Sequence, residues 1–179
     1  MAATTKVVLD SWPVVEAAIG SQYAINAFNS LVAKQMPVMS AVNCAEVYNA
    51  IMVGQGVLKA RDTITLLKQS VDLEFPDYER VMHAAHLKST YYMALGDSFA
   101  VATALHHDAE LWTGDTELLF DGSPWRARDL RTNRSPTRKQ LTGKIGRRTR
   151  SHTRPSQEPE IPLADLMQFL NGTLHLRTE

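Results

Sequence analysis

The chain has 179 residues, 19 Lys+Arg against 19 Asp+Glu, 44% hydrophobic residues and a single cysteine. That length suits one domain with an appendage, and a lone Cys44 excludes an intrachain disulfide and reads as a small buried hydrophobe in a reducing compartment. No apolar run approaches the roughly 18 residues of a membrane span, and no basic stretch followed by a long apolar one opens the chain. The expectation is a cytoplasmic protein with no membrane partner.

The net charge of zero hides an asymmetry. Residues 1–123 carry 14 acids and 7 bases, residues 124–154 carry 11 bases and one acid, Asp129, and residues 155–179 carry 4 acids and one Arg. The chain is an acidic body with a basic extension.

In chain order, KVVLD at residues 6–10 is a β-branched run that ends in an acid, the pattern of a strand buried on both faces. Pro13 suits the first turn of a helix, and after Gly20 the spacing of Tyr23, Ala24, Ala27, Phe28 and Leu31 predicts a second. Residues 36–40 read as a short strand. Asn43 as N-cap with Glu46 three residues on resembles a capping box, opening a helix that Gly54 and Gly56 end. Residues 57–68 predict a fourth helix and 71–75 a third strand. Pro76-Asp77 starts a helix running to about Leu95.

The stretch LGDSFAVATALHHDAELWTGD, residues 95–115, predicts a helix starting at Asp97 and a buried strand near residues 111–113, with Gly114-Asp115 turning the chain. A short helix at 117–120 and a last strand at 125–130 complete the pattern. Strands alternate with helices, which predicts an α/β domain with a parallel sheet of four or five strands and right-handed crossovers.

Asp10, Glu46, Asp97 and Asp115 all fall near strand-to-helix junctions, and in a parallel sheet those junctions share one edge, where ligand crevices form. Each has a plain alternative as a cap or turn residue, Asp10 least so, because a charge at the end of an apolar strand is costly to bury. Carboxylates converging there repel one another unless a cation is present. An all-oxygen set favours Mg²⁺, with Mn²⁺ as the substitute, over zinc, and such a site suits phosphodiester hydrolysis. Thr113, two residues before Asp115, is placed to orient that carboxylate through its hydroxyl.

The segments VVLDSWPVV, SAVNCAEVYNAI, LGDSFAVATAL and LWTGDTELL, in this order over residues 6–131, resemble the PIN-domain nucleases, specifically the VapC-type toxins of toxin–antitoxin modules. The resemblance implies a three-layer α/β/α fold and a Mg²⁺-dependent endoribonuclease cleaving RNA. It implies Asp10, Glu46, Asp97 and Asp115 as the catalytic acids, with Asp10, Asp97 and Asp115 as metal ligands. It further implies a cognate antitoxin protein and a homodimer. Glu117 matches an accessory acidic position of some members.

Rival readings are weaker. A haloacid-dehalogenase-type phosphatase needs a second Asp where this chain has Trp12, and the His107-Asp108 pair of HD phosphohydrolases belongs to an all-helical fold. His83 and His86, one turn apart on a helix, have a spacing that could ligate metal, but they are expected as ordinary, partly exposed residues. The serious alternative keeps the fold but makes the chain a non-catalytic RNA- or partner-binding module.

The domain is thus expected at residues 1–131. Residues 132–179 are rich in Arg, Thr, Ser and Pro and too poor in apolar groups to bury a core. They are expected as a largely disordered tail with a possible short terminal helix. Its bases, among them Arg138, Lys139, Arg147, Arg148 and Arg150, suit a nucleic-acid-binding arm.

Overall fold

The structure is a computed structural model, described for residues 5–131. β1 (Val7–Leu9) is followed by α1 (Ser11–Ala18) and α2 (Gln22–Val32), and β2 (Val38–Ser40) by α3 (Ala41–Gln55) and α4 (Val57–Ser70). β3 (Asp72–Glu74) leads into α5 (Tyr78–Tyr91) and α6 (Leu95–His106), then β4 (Glu110–Thr113), a 3-10 turn at Thr116–Leu118 and β5 (Arg126–Asp129). The predicted tail, its basic arm and its terminal helix lie outside the described residues.

The five strands form one parallel sheet in the order β3-β2-β1-β4-β5. Alternation along the strands sends side chains to opposite faces. Val8, Val38 and Leu111 join Phe99, Ala100 and Leu87 in a core under α5 and α6. Val7, Leu9, Met39 and Trp112 join Val14, Leu31, Val47, Ile51 and Leu67 in a second core under α1 to α4. Two cores on one sheet make the three-layer α/β/α architecture that the family resemblance implies, on the parallel sheet that the alternating elements predict.

α6 sits deepest. Every residue from Gly96 to Ala104 is buried, which an alanine-rich helix permits because small side chains let α5 and the sheet approach closely. The chain runs from β1 outward to β2 and β3 on one side, then returns to place β4 and β5 on the other. The strand order therefore reverses between β1 and β4, which opens a crevice beyond their C-terminal ends.

Four local readings differ from the sequence pattern. α3 begins at Ala41 with Ser40 as its N-cap, the Ser40 hydroxyl accepting from the Val42 amide at 3.3 Å, so Asn43 and Glu46 form no capping box. α3 runs through Gly54 and stops at Gly56, whose φ of 90° a side chain rarely adopts. α5 ends at Tyr91, with Tyr92 in the left-handed region at φ 56°, well short of Leu95. α6 begins at Leu95 rather than Asp97, because the Ser98 amide donates to the Ala94 carbonyl at 3.1 Å and closes a turn that Ala94, not the acid, caps. Among the described residues no helix is long and apolar enough to cross a membrane.

Candidate active site

Asp10 follows the last residue of β1 and is 2% exposed. Its Oδ1 accepts from the Ser11 amide at 2.6 Å, and its Oδ2 accepts from the Thr113 hydroxyl at 2.8 Å. Burial raises its pKa, opposed by hydrogen bonds from Thr113, Ser11 and Trp12. The Thr113 hydroxyl also accepts from the Asp115 amide at 2.9 Å. Thr113 therefore holds the carboxylate of Asp10 and only the backbone of Asp115, a different role from the one its spacing suggests. The Asp115 carboxylate accepts from the Glu117 amide at 2.8 Å and caps the 3-10 turn. Glu117 itself is exposed.

Glu46 reaches the same edge from the second turn of α3. It is half-buried, and its Oε2 accepts from Asn43 Nδ2 at 3.1 Å. Burial and then the charge of Asp10 raise its pKa. Its carboxylate lies directly over the start of α6: a Cβ on Gly96 would stand 1.9 Å from Glu46 Oε1, so any larger residue there would push that carboxylate aside. Gly114 has a matching function on the β4 side, where a Cβ would stand 2.3 Å from the Trp12 ring.

Asp97 is the third residue of α6 and makes no cap, since Ala94 holds that position. The Asp97 carboxyl is pushed up from 3.8 to about 7, by burial first and then by the charges of Asp10, Asp115, Glu46 and Glu117. Asp97 thus senses all the acids singled out by the sequence, which the fold gathers at the C-terminal edge of β1 and β4. None is paired with a base: the described residues' ion pairs join Glu74 to Arg80 and His107, Asp108 to Arg126, and Asp129 to Arg131.

The donor set is all carboxylate oxygen, the chemistry of a hard divalent cation. Among the described residues, no three His, Cys, Asp or Glu side chains stand close enough together to hold an ion as they are. His83 and His86 are exposed, and His83 lines a separate hollow of about 280 Å³ with Asp77, Glu79, Arg80 and His106.

One residue at the site escaped the sequence reading. Asn43 is 0% exposed, and its Nδ2 donates to Gly96 O at 3.0 Å, Glu46 Oε2 at 3.1 Å and, more weakly, Asp10 Oδ1 at 3.5 Å. The signal was its spacing, one helical turn before Glu46 on the same face and beside the buried Cys44 and Val47. A polar residue on that buried stripe needs a partner.

The class is that of a three-layer parallel α/β fold with two buried carboxylates, Asp10 and Asp97, and the partly buried Glu46 and Asp115 near its topological switch point. The family model for the PIN domain matches residues 7–121, and the chain belongs to that family. No curated protein matches it. Solved structures share the fold. VapBC2 of Rickettsia felis, bound to a DNA fragment from its promoter, superposes with a TM-score of 0.58 at 11% identity, over 69% of this chain and 97% of that one. VapBC-1 of nontypeable Haemophilus influenzae gives 0.55 at 18%, over 69% and 97%. The Mycobacterium tuberculosis VapC20, a sarcin–ricin loop cleaving toxin, gives 0.52 at 13%, over 66% and 92%.

Proposed function

We propose that this chain is a metal-dependent endoribonuclease that hydrolyses RNA phosphodiester bonds, the VapC-type toxin of a cytoplasmic toxin–antitoxin pair. One observation carries the reading: the Asp97 carboxyl is pushed up to about 7 by burial first and then by the charges of four acidic neighbours, none of them paired with a base among the described residues. A protein that buries mutually repelling carboxylates loses stability unless something positive joins them. Asp10, Asp97 and Asp115 are the residues to hold Mg²⁺ or Mn²⁺, and Glu46 completes the acidic set. When bound, the ion supplies charge neutralisation for the phosphodiester and lowers the pKa of the attacking water.

The chain's own groups then have distinct tasks. Thr113 keeps Asp10 aimed at the crevice through the 2.8 Å bond to Oδ2. Glu46, with its raised pKa, takes up the proton of the attacking water at its carboxylate. Glu117 adds negative charge at the rim. The VapBC structures among the similar folds support a cognate antitoxin protein as partner, and a homodimer is the working form in the same proposal. The working domain is residues 1–131, and the basic segment beyond it contributes RNA affinity.

The test is incubation of the purified full chain with single-stranded RNA, with and without Mg²⁺, followed by mapping of the RNA ends. Cleavage that appears with Mg²⁺ and stops with a chelator is the expected result. A second reading, a non-catalytic binding module, is favoured by the lack of any three converging acids among the described residues. RNA binding without metal-dependent cleavage would establish it instead.

A further inference from the structure

We infer that Asn43 is a positioning residue for the acidic site: its amide nitrogen sets the Glu46 and Asp10 carboxylates against the start of α6. The inference rests on the nuclease reading above. The three oxygens that Nδ2 meets come from three separate elements: Gly96 O from α6, Glu46 Oε2 from α3 and Asp10 Oδ1 from the end of β1. Asn43 is 33 residues from Asp10 and 53 from Gly96, so the amide ties together parts that local structure does not. Two N–H protons serve three acceptors, and the 3.5 Å contact to Asp10 is the looser share.

The other end of the same amide explains why the residue is not there for stability alone. Among the described residues Asn43 Oδ1 is buried without a hydrogen-bond partner, an arrangement that costs the folded state. Turning the amide over gives no relief, since Oδ1 would then face three oxygens. The neighbouring positions Cys44 and Val47 show that the helix accepts apolar side chains at this depth. A neutral donor has one property that Lys or Arg lacks: it draws two carboxylates together without cancelling the negative charge that a cation needs. Gly96 completes the device, because its missing Cβ is where the Glu46 carboxylate rests.

The experiment compares the full-length wild type with Asn43→Leu and Asn43→Thr, with no RNA present. Calorimetric titration with Mn²⁺ gives metal affinity, and thermal unfolding by circular dichroism without metal gives fold stability. Leu keeps the volume and removes both the donor and the orphaned oxygen. Its unfolding midpoint should stay within a few degrees of wild type, while its Mn²⁺ Kd rises by roughly 10–100-fold, the range for groups that orient metal ligands. Thr keeps a hydroxyl donor and should recover part of that affinity. It also carries the comparison if the Leu variant does not fold. Wild-type Mn²⁺ affinity in both variants overturns the positioning role alone. A wild type that binds no Mn²⁺ overturns the nuclease reading and this inference together.

Discussion

The two ends of α6 treat neighbouring acids in opposite ways. Near its C-terminal end Glu74 is met by Arg80, whose Nη1 donates to it at 2.7 Å, and by His107, which also contacts Lys6. Burial is the largest influence on Glu74 and acts upward, yet the His107 bond and the Arg80, His107 and His106 charges outweigh it, and the pKa is lowered. At the N-terminal end Asp97 has burial and four acids acting in the same direction and stands at about 7. Glu74 is a finished contact that holds β3 to α5 and α6. Asp97 belongs to an unfinished one, and its deficit of positive charge is what marks the site.

The largest predicted effect breaks the unfinished end. Asp10→Asn or Asp97→Asn should lower Mg²⁺-dependent RNA cleavage by about 100-fold or more, while thermal stability without metal is unchanged or higher, since a repelling charge is gone. Full activity with unchanged metal affinity in either variant removes that residue from the site.

Breaking the finished end should do the reverse. Glu74→Gln leaves the buried Arg80 without its counter-ion, and is expected to cost about 3 kcal/mol of stability at pH 7. Metal affinity should not move. Urea unfolding paired with calorimetric titration reads both quantities, and a loss of metal binding without loss of stability contradicts the contrast.

Dependence on pH sharpens the comparison, because the two ends carry opposite signs. Asp97 has a folded pKa above the ordinary carboxylate value of 3.8, so its contribution to stability is fully present below about 3.8 and is lost as pH rises towards 7. Glu74 has a folded pKa below the ordinary value of 4.5, so its contribution is present above that value and is lost as pH falls through the lower folded pKa. Without metal, wild type minus Asp97→Asn should therefore show a stability difference that grows against wild type between pH 4 and 7, on the order of a few kcal/mol. Saturating Mg²⁺ should shrink it at pH 7 by mass action. A difference flat across that window removes the repulsion from Asp97.

The smallest effect concerns the basic segment beyond the domain. If it engages about four phosphates, the slope of log K for single-stranded RNA against log salt should be near −3, from roughly −0.7 per phosphate. Ending the chain at Thr132 removes eight of the eleven bases between residues 124 and 154 and should flatten that slope with metal binding intact. An unchanged slope makes those bases irrelevant to RNA.

Much of the fold was legible because hydrophobic patterning is local. The apolar runs that end at Asp10 and Thr113 belong to strands buried on both faces, and the alanine-rich stretch after Asp97 packs on every side, as residue types alone require. Asp10 and Asp115, at the ends of β1 and β4, were likewise visible, and a parallel sheet brings such junctions to one edge. Asp97 follows the turn between α5 and α6 rather than a strand, so the packing of α6 on the sheet, and not its junction, brings it there. What distance in the chain separates, only the tertiary structure decided. The reversal of strand order between β1 and β4 pairs Thr113 with Asp10 across 103 residues, where spacing had suggested the Asp115 carboxylate. Asp97 and Asn43 have the composition of caps, but the first turn of each helix begins two residues earlier, and packing turns both side chains inward. Whether a polar residue near a helix start caps it or is buried depends on what lies against that helix, and only the folded chain supplies that neighbour.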